Sequence, residues 1–320
     1  FVANGWVETQ YIAPQVHFPF LGWTWITPLP GVGMYVVFTL LIVFSLGVAL
    51  GAFYRISIVG FFLLFTYVEL IDLAFYLNHY YLVSLLTFLC IWLPLHRKWS
   101  IDAWRSPELR ADTVPGWTLG LLRVQLAIVY VFAGIAKLNP DWLFRAMPLT
   151  LWLRARDDLP LIGGLLRQPT TAYVMSWAGA LYDLTIPFWL VYRRTRPLAL
   201  LAVIVFHVLT AILFPAIGMF PWVMLASALV FLDEGDLRWL MARFGIRAGS
   251  PPRQAVRRSM PRALVWLAAA YFGLQVLLPL RHWLYPGDVL WSEEGFRFSW
   301  RVMLVEKAGE AVFYVRDPAS

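Results

Sequence analysis

Residues 117–142 read WTLGLLRVQLAIVYVFAGIAKLNPDW, and they set the class of fold. The apolar run 117–136 carries Arg123 as its single charge and is followed at once by Lys137. An α-helix needs about 20 apolar residues to cross the hydrocarbon core of a bilayer. The stretch therefore predicts a membrane-spanning helix with an amine at one end.

The composition extends this prediction to the whole chain. Of the 320 residues, 60% are hydrophobic and 14% are charged, which is more apolar surface than a water-soluble core can hide. We predict an all-α polytopic bundle of about eight spans in one membrane domain. The predicted spans are 33–54, 56–76, 79–95, 117–136, 173–192, 197–214, 217–232 and 263–281.

Two regions follow from this list, a transmembrane domain at 1–281 and an external segment at 282–320. In the external segment, Phe296–Val305 and Ala311–Val315 predict two strands that begin a β-rich domain. The chain starts at Phe1 rather than at a methionine, so we expect native sequence upstream.

The distribution of Lys and Arg predicts the orientation. These residues concentrate at Arg55 and in the connections 96–116, 193–196 and 233–262, which alternating spans place on one side. That side is predicted to be cytoplasmic, so Lys137 faces outward. The net charge of +7 lies in these loops and forms no basic stripe with interleaved aromatics, so no nucleic-acid partner is predicted.

Lys137 has two interpretations. A lysine at a helix end commonly extends its amine to the headgroups. An amine held against hydrocarbon is instead inclined to lose its charge and becomes a candidate base. Arg123, Tyr130 and Lys137 fall on nearly one helical face, where Ala133 and Gly134 permit either close helix packing or a flat ligand.

Other polar groups lie within or beside the predicted spans. Asn78 and His79 occupy a tight turn, where His79 is either a hydrogen-bonded structural residue or a proton-transfer group. His207 and Asp183 are expected to form a hydrogen bond with each other or with backbone, which would pin two helices. The alternative is a part in catalysis.

A last group of candidate residues lies at the start of the seventh predicted span, 217–232. Two interpretations are open for Met219, Phe220 and Trp222: they anchor the helix at the membrane–water interface, or they form the wall of a binding site for a hydrophobic ligand. No Walker loop, dinucleotide fingerprint, CxxC pair, HExxH helix or GxSxG elbow is present. We therefore predict no metal, and a cofactor that is lipophilic or diffusible.

Five separated runs, in order along the chain, resemble the vitamin K-dependent gamma-carboxylase family in its bacterial form with the HTTM domain. They are Leu77-Asn-His-Tyr-Tyr-Leu, Ala133-Gly-Ile-Ala-Lys-Leu-Asn-Pro-Asp-Trp, Phe206-His207, Ile217-Gly-Met-Phe and Gly295-Phe-Arg-Phe-Ser-Trp300.

The resemblance implies an enzyme of the bacterial inner membrane whose site faces the periplasm or the outside. Its family converts peptide glutamate to gamma-carboxyglutamate with O2 and CO2, and couples this to epoxidation of vitamin K hydroquinone, of menaquinol or phylloquinol type. The implied partners are a glutamate-containing peptide or protein and the lipid bilayer.

Individual residues are also implied by the resemblance. Lys137 matches the base that deprotonates the hydroquinone, Asn78 and His79 match the pair beside this cofactor, and Tyr130 matches a pocket tyrosine. We add three candidate cofactor-binding residues, namely His207, Met219 and Phe220.

The chain also departs from the animal members. They carry two adjacent lysines where this chain has Ala136-Lys137, a tyrosine where Phe296 stands and an aspartate where Arg301 stands. Their disulfide cysteines have no counterpart among these residues, and we expect residues 1–320 to lack their first helix and most of their external domain. Two alternatives therefore stay open, a quinol epoxidase without carboxylation and a non-catalytic transporter or lipid-binding protein on the same fold.

Overall fold

The structure is a computed structural model that describes residues 2–245, 259–307 and 312. These residues form helices, turns and irregular segments, with no strand among them. The α-helices are α1 Gly33–Leu50, α2 Tyr54–Ile71, α3 Asn78–Trp92, α4 Ile101–Arg105, α5 Gly116–Ala136, α6 Pro140–Arg145, α7 Leu149–Arg154, α8 Gly163–Leu166, α9 Pro169–Val191, α10 Arg196–Leu213, α11 Phe220–Ala228, α12 Glu234–Arg243, α13 Arg262–Leu280 and α14 Val289–Ser292.

Six helices in the described part of the chain are long and apolar enough to cross a membrane. They are α1, α2, α5, α9, α10 and α13 with the turn after it. The other two of the eight predicted spans are shorter, with 15 residues in α3 and a short apolar helix at Phe220–Phe231. Pro94 follows the end of α3, and Gly218 at φ 65° precedes α11, so these residues limit both helices.

Both short helices still lie along α5. Leu89 of α3 packs in one cluster with Leu122 near the start of α5. Arg123 donates hydrogen bonds to the carbonyls of Val230 (2.9 Å) and Leu232 (3.2 Å), just beyond α11. The carboxyl ends of both short helices are therefore at the start of α5, and their amino ends reach the Lys137 end.

Helices α5 and α9 pack closely at Gly134. A Cβ atom at this position would lie 2.7 Å from Leu184 Cγ and 2.8 Å from Leu184 N. Only a residue without a side chain allows the two backbones to approach this far. The contact brings the residue before Leu184, Asp183, to the end of α5.

The strand predicted at Phe296–Val305 is wrong. This segment consists of turns and irregular backbone, and Phe298, Trp300 and Met303 have φ values of 59°, 59° and 54°. Trp300 is 1% exposed, and its ring stacks on Tyr81 with centroids 4.9 Å apart. Packing against the helices therefore overrides the β propensity of the segment. The second predicted strand lies outside the described residues except for its residue 312.

Candidate functional site

The site begins where α5 ends. Asn139 caps the next helix, because its Oδ1 accepts the N–H of Trp142 at 2.9 Å while its Nδ2 donates to the Ala136 carbonyl at 2.9 Å. Pro140 occupies the first turn of α6, where its missing N–H has no cost. The tight connection between α5 and α6 places Nζ of Lys137 5.3 Å from the centroid of the Trp142 ring.

The amine of Lys137 is buried inside the protein and does not extend to the headgroups. Lys137 is 6% exposed, and its Nζ donates to Asp183 Oδ2 at 2.7 Å and to the Ala133 carbonyl at 3.4 Å. Asp183 is 5% exposed. The pair is a buried salt bridge, in which attraction between the charges offsets the loss of water around each.

The expected hydrogen bond between Asp183 and His207 is not what the structure shows. Asp183 binds Lys137, and Nε2 of His207 lies 3.3 Å from the hydroxyl of Tyr130. The His207 side chain is thus turned toward α5 rather than toward Asp183. Nδ1 of His207 is buried and has no hydrogen-bond partner among the described residues.

A cavity of about 350 Å³ connects these groups. Its wall is made by the amino ends of α3 and α11, the second half of α5, the inner faces of α9 and α10, and the segment 300–303. Six of the seven residues predicted for the site line it, namely Asn78, His79, Tyr130, Lys137, His207 and Phe220. The seventh, Met219, is 58% exposed and is not among the lining residues.

Aromatic rings form much of this wall. The centroid of the Phe220 ring lies 6.2 Å from that of His79 and 5.8 Å from that of His207, so Phe220 lies between the two histidines. Tyr182 stacks on Phe206 with centroids 4.1 Å apart. These flat surfaces suit an aromatic ligand.

Asn78 closes the cavity on the side of the tail (residues 298–303). Its Oδ1 accepts a hydrogen bond from the Tyr76 hydroxyl at 3.1 Å, and its Nδ2 donates to the Arg301 carbonyl at 3.1 Å. The Tyr76 hydroxyl in turn accepts the N–H of Phe298 at 2.9 Å. Asn78 therefore holds the tail in place as a wall, a role that the turn sequence alone did not predict.

Three features of the site were missed from the sequence. Asp183 was weighed for a part in catalysis, but its pairing with Lys137 was not foreseen, because nothing local identifies a partner 46 residues away. Trp142 and Trp300 belong to the runs that carry the family resemblance, and this was the signal available for them. Their positions beside Lys137 and on the cavity wall depend on the fold.

The cavity fits a flat, apolar ligand with hydroxyl or carbonyl oxygens at its edge. Buried polar groups are almost always hydrogen-bonded. Two lining residues nevertheless carry buried nitrogens with no partner in the described structure, Nδ1 of His207 and Nε1 of Trp300. Ligand oxygens would satisfy them. The described residues hold no group of three or more His, Cys, Asp or Glu side chains that could bind a metal ion.

The arrangement can transfer a proton. A proton can move from Nζ of Lys137 to Oδ2 of Asp183 across 2.7 Å, which leaves Nζ able to accept another from a hydroxyl in the cavity. The net charge of the pair stays at zero during the internal transfer and rises to +1 when the second proton is accepted. Apolar walls keep water from competing for that proton.

Comparison with known proteins found two family models that match the chain. A family model described as "HTTM domain" matches residues 1–235, and one described as "Vitamin K-dependent gamma-carboxylase, lumenal domain" matches residues 260–320. No solved structure matches the chain. The predicted division into 1–281 and 282–320 stays a prediction.

Proposed function

The chain belongs to the vitamin K-dependent gamma-carboxylase family, and from this premise we propose that it carboxylates peptide glutamate and epoxidises vitamin K hydroquinone. The observation that carries the proposal is the buried amine of Lys137, held by Asp183 at the wall of an apolar cavity. A structural ion pair has no need of such a cavity. A base that deprotonates a lipophilic hydroxyl needs both a buried amine and an apolar cavity beside it.

When bound with O2, vitamin K hydroquinone supplies a base strong enough to remove a glutamate γ-proton, and CO2 then adds to that carbon. Its ring would lie against His79, Tyr130, His207 and Phe220, whose side chains line the cavity. Burial of these groups excludes water, which would otherwise quench a strong base. The protein thus binds the ligand, orients it and excludes water from it.

Lys137 is proposed as the base. Its Nζ accepts a proton from the ligand hydroxyl while Asp183 Oδ2 accepts one from Nζ, so an ammonium remains beside the oxygen that has lost its proton. An ammonium fixed there stabilises that negative charge far better than water does. Asp183 acts as the proton acceptor behind the amine.

His79 is the second proposed catalytic residue. It is 5% exposed and lies near the first turn of α3, beside Tyr80 at a centroid distance of 4.7 Å. Burial favours the neutral form of an imidazole over the charged form, and a neutral imidazole can both accept and donate a proton. We assign it a proton-transfer role at the opposite side of the ligand from Asp183.

The protein is an integral membrane protein, and its orientation is part of the proposal. Helices α3 and α11 run antiparallel to α5, so the alternation of sides used in the charge count is kept. Arg193, Arg194 and Arg196 then lie in the cytoplasm. The cavity opens near the outer face of a bacterial inner membrane, where a glutamate-containing peptide can reach it.

The test measures hydroquinone-dependent epoxide formation and incorporation of labelled CO2 into a glutamate peptide, using the full chain in detergent or nanodiscs. Lys137→Ala should lower epoxide formation by about 10²- to 10⁴-fold, the usual contribution of a general base. The matched control is Lys98→Ala, because Lys98 is an exposed lysine paired with Asp112 at 2.8 Å. It should retain wild-type rates.

The outcomes separate the alternatives. Equal epoxide yields from the wild type and Lys137→Ala would remove the base assignment. Epoxide without labelled glutamate would restrict the function to quinol epoxidation. Transport of a solute in proteoliposomes without quinol turnover would favour the non-catalytic alternative.

A further inference from the structure

Arg301 is a buried cation with no hydrogen-bonded or ion-paired partner among the described residues. It is 9% exposed, its Nε is fully buried, and none of its guanidinium nitrogens donates a hydrogen bond within the described residues. Its backbone carbonyl is engaged by Asn78, so the residue itself is held firmly. Buried charges are normally paired. Arg301 is therefore a candidate binding site for an anion.

Arg301 lines a second cavity, of about 410 Å³. Residues along the tail alternate between the two cavities: Trp300, Val302 and Met303 line the first, whereas Ser299 and Arg301 line the second. The segment 299–303 is therefore a partition, with Lys137 on one side and Arg301 on the other.

The second cavity opens at the surface of the protein. Leu138 and Trp283, which line it, are 53% and 73% exposed. Its acidic side chains already have partners, since Asp141 pairs with Arg145 at 2.9 Å and Asp288 caps Leu290 N–H at 2.8 Å. A ligand entering here meets an uncommitted guanidinium.

The electrostatic balance agrees with this geometry. Burial lowers the pKa of Arg301, and the charge of Asp288 only partly offsets the effect. An anion placed against the guanidinium would restore the interactions that it lost with water. A guanidinium binds a carboxylate with two parallel hydrogen bonds, which no single aspartate in this cavity provides.

We propose that the second cavity is an anchoring subsite for a second carboxylate of the peptide substrate, with Arg301 as its cation. The anchored carboxylate is not the reacting one, because the partition separates Arg301 from Lys137. The subsite thereby selects acidic peptides in which a further glutamate or aspartate lies near the target glutamate. This assignment rests on the proposed function for the identity of the ligand as a peptide.

The experiment compares two fluorescent peptides that differ only at one position, glutamate against glutamine, next to a common target glutamate. Binding to the full chain in detergent is measured by anisotropy. The wild type should bind the two-glutamate peptide about tenfold more tightly, the effect expected for hydrogen bonds to a charged group. Arg301→Gln should abolish this preference and leave the affinity for the one-glutamate peptide unchanged.

The matched control is Arg297→Gln, which removes an arginine of the same segment that already pairs with Glu293 at 3.4 Å. It should keep the tenfold preference. Loss of the preference in both variants, or in neither, would reject the subsite. Stronger competition by bicarbonate than by the two-glutamate peptide would overturn the assignment of a peptide carboxylate.

Thermal unfolding separates binding from structure. Without peptide, Arg301→Gln should unfold at the wild-type temperature or above it, because it removes an unpaired buried charge. A lower unfolding temperature would show a structural role and overturn the proposal. Carboxylation is assayed separately: absent turnover with the binding preference intact would reject the proposed function alone, whereas normal turnover without the preference would reject the subsite alone.

Discussion

Replacing the buried ion pair with apolar residues should separate stability from activity. The variants are Lys137→Met alone and Lys137→Met combined with Asp183→Leu, which have apolar side chains of roughly similar reach. Both remove the amine, so both should lose epoxide formation. Only the single variant leaves a carboxylate buried without its partner.

The magnitude follows from the contact distance. At 2.7 Å and an effective dielectric constant of about 20, the Coulomb attraction is about 6 kcal/mol. Desolvation of two ions costs several kcal/mol each, so the two effects nearly cancel and the pair adds little net stability. Removing one partner retains much of the desolvation cost and should destabilise the protein by about 3–5 kcal/mol.

The assay is thermal unfolding in detergent, followed by tryptophan fluorescence, beside the epoxide assay. Lys137→Met should unfold on the order of 10 °C below the wild type. The double variant should return to within a few degrees of it. A double variant as unstable as the single one would refute this account, because the pair would then be a net source of stability rather than a device for chemistry.

Two other pairs of substitutions test the packing and the cavity wall. Gly134→Ala should cost about 1–3 kcal/mol and lower epoxide formation, because its Cβ would meet Leu184 at 2.7–2.9 Å. Gly120→Ala, with nothing within 4 Å, should be neutral or stabilise α5 by up to about 1 kcal/mol, and equal losses in both would contradict the close-contact argument. Phe220→Ala should raise the KM for hydroquinone about tenfold or more, since an aromatic ring that the ligand covers contributes about 1.5–3 kcal/mol. Met219→Ala should leave that KM within about twofold, and the reverse order would show that the cavity wall is assigned to the wrong residue.

Local sequence rules predicted the parts of the site that lie close together in the chain. The apolar run 117–136 is a local signal, and it placed Lys137 at a helix end correctly. The pairing with Asp183 was not predictable, because it depends on the close packing of α5 and α9. Spacing on one helix says which face a residue shares, not which partner it meets.

The errors have physical causes of the same kind. Apolar length alone suggested full spans at 79–95 and 217–232, whereas the positions of proline and glycine shorten both helices. The segment 296–305 suggested a strand, but Trp300 is buried against Tyr81 and the segment consists of turns and irregular backbone. In both cases a specific residue outweighed the average pattern.

The hydrogen bond from Asn78 to the Arg301 carbonyl also has a consequence for the order in which the protein folds during synthesis. It joins two residues 223 positions apart, so Asn78 enters the membrane long before the ribosome has made Arg301. Until the tail returns and docks, the cavity lacks the wall formed by 300–303 and stays open to water or lipid. A cavity with all of its walls can therefore form only after residues 300–303 have been made and have packed against Asn78.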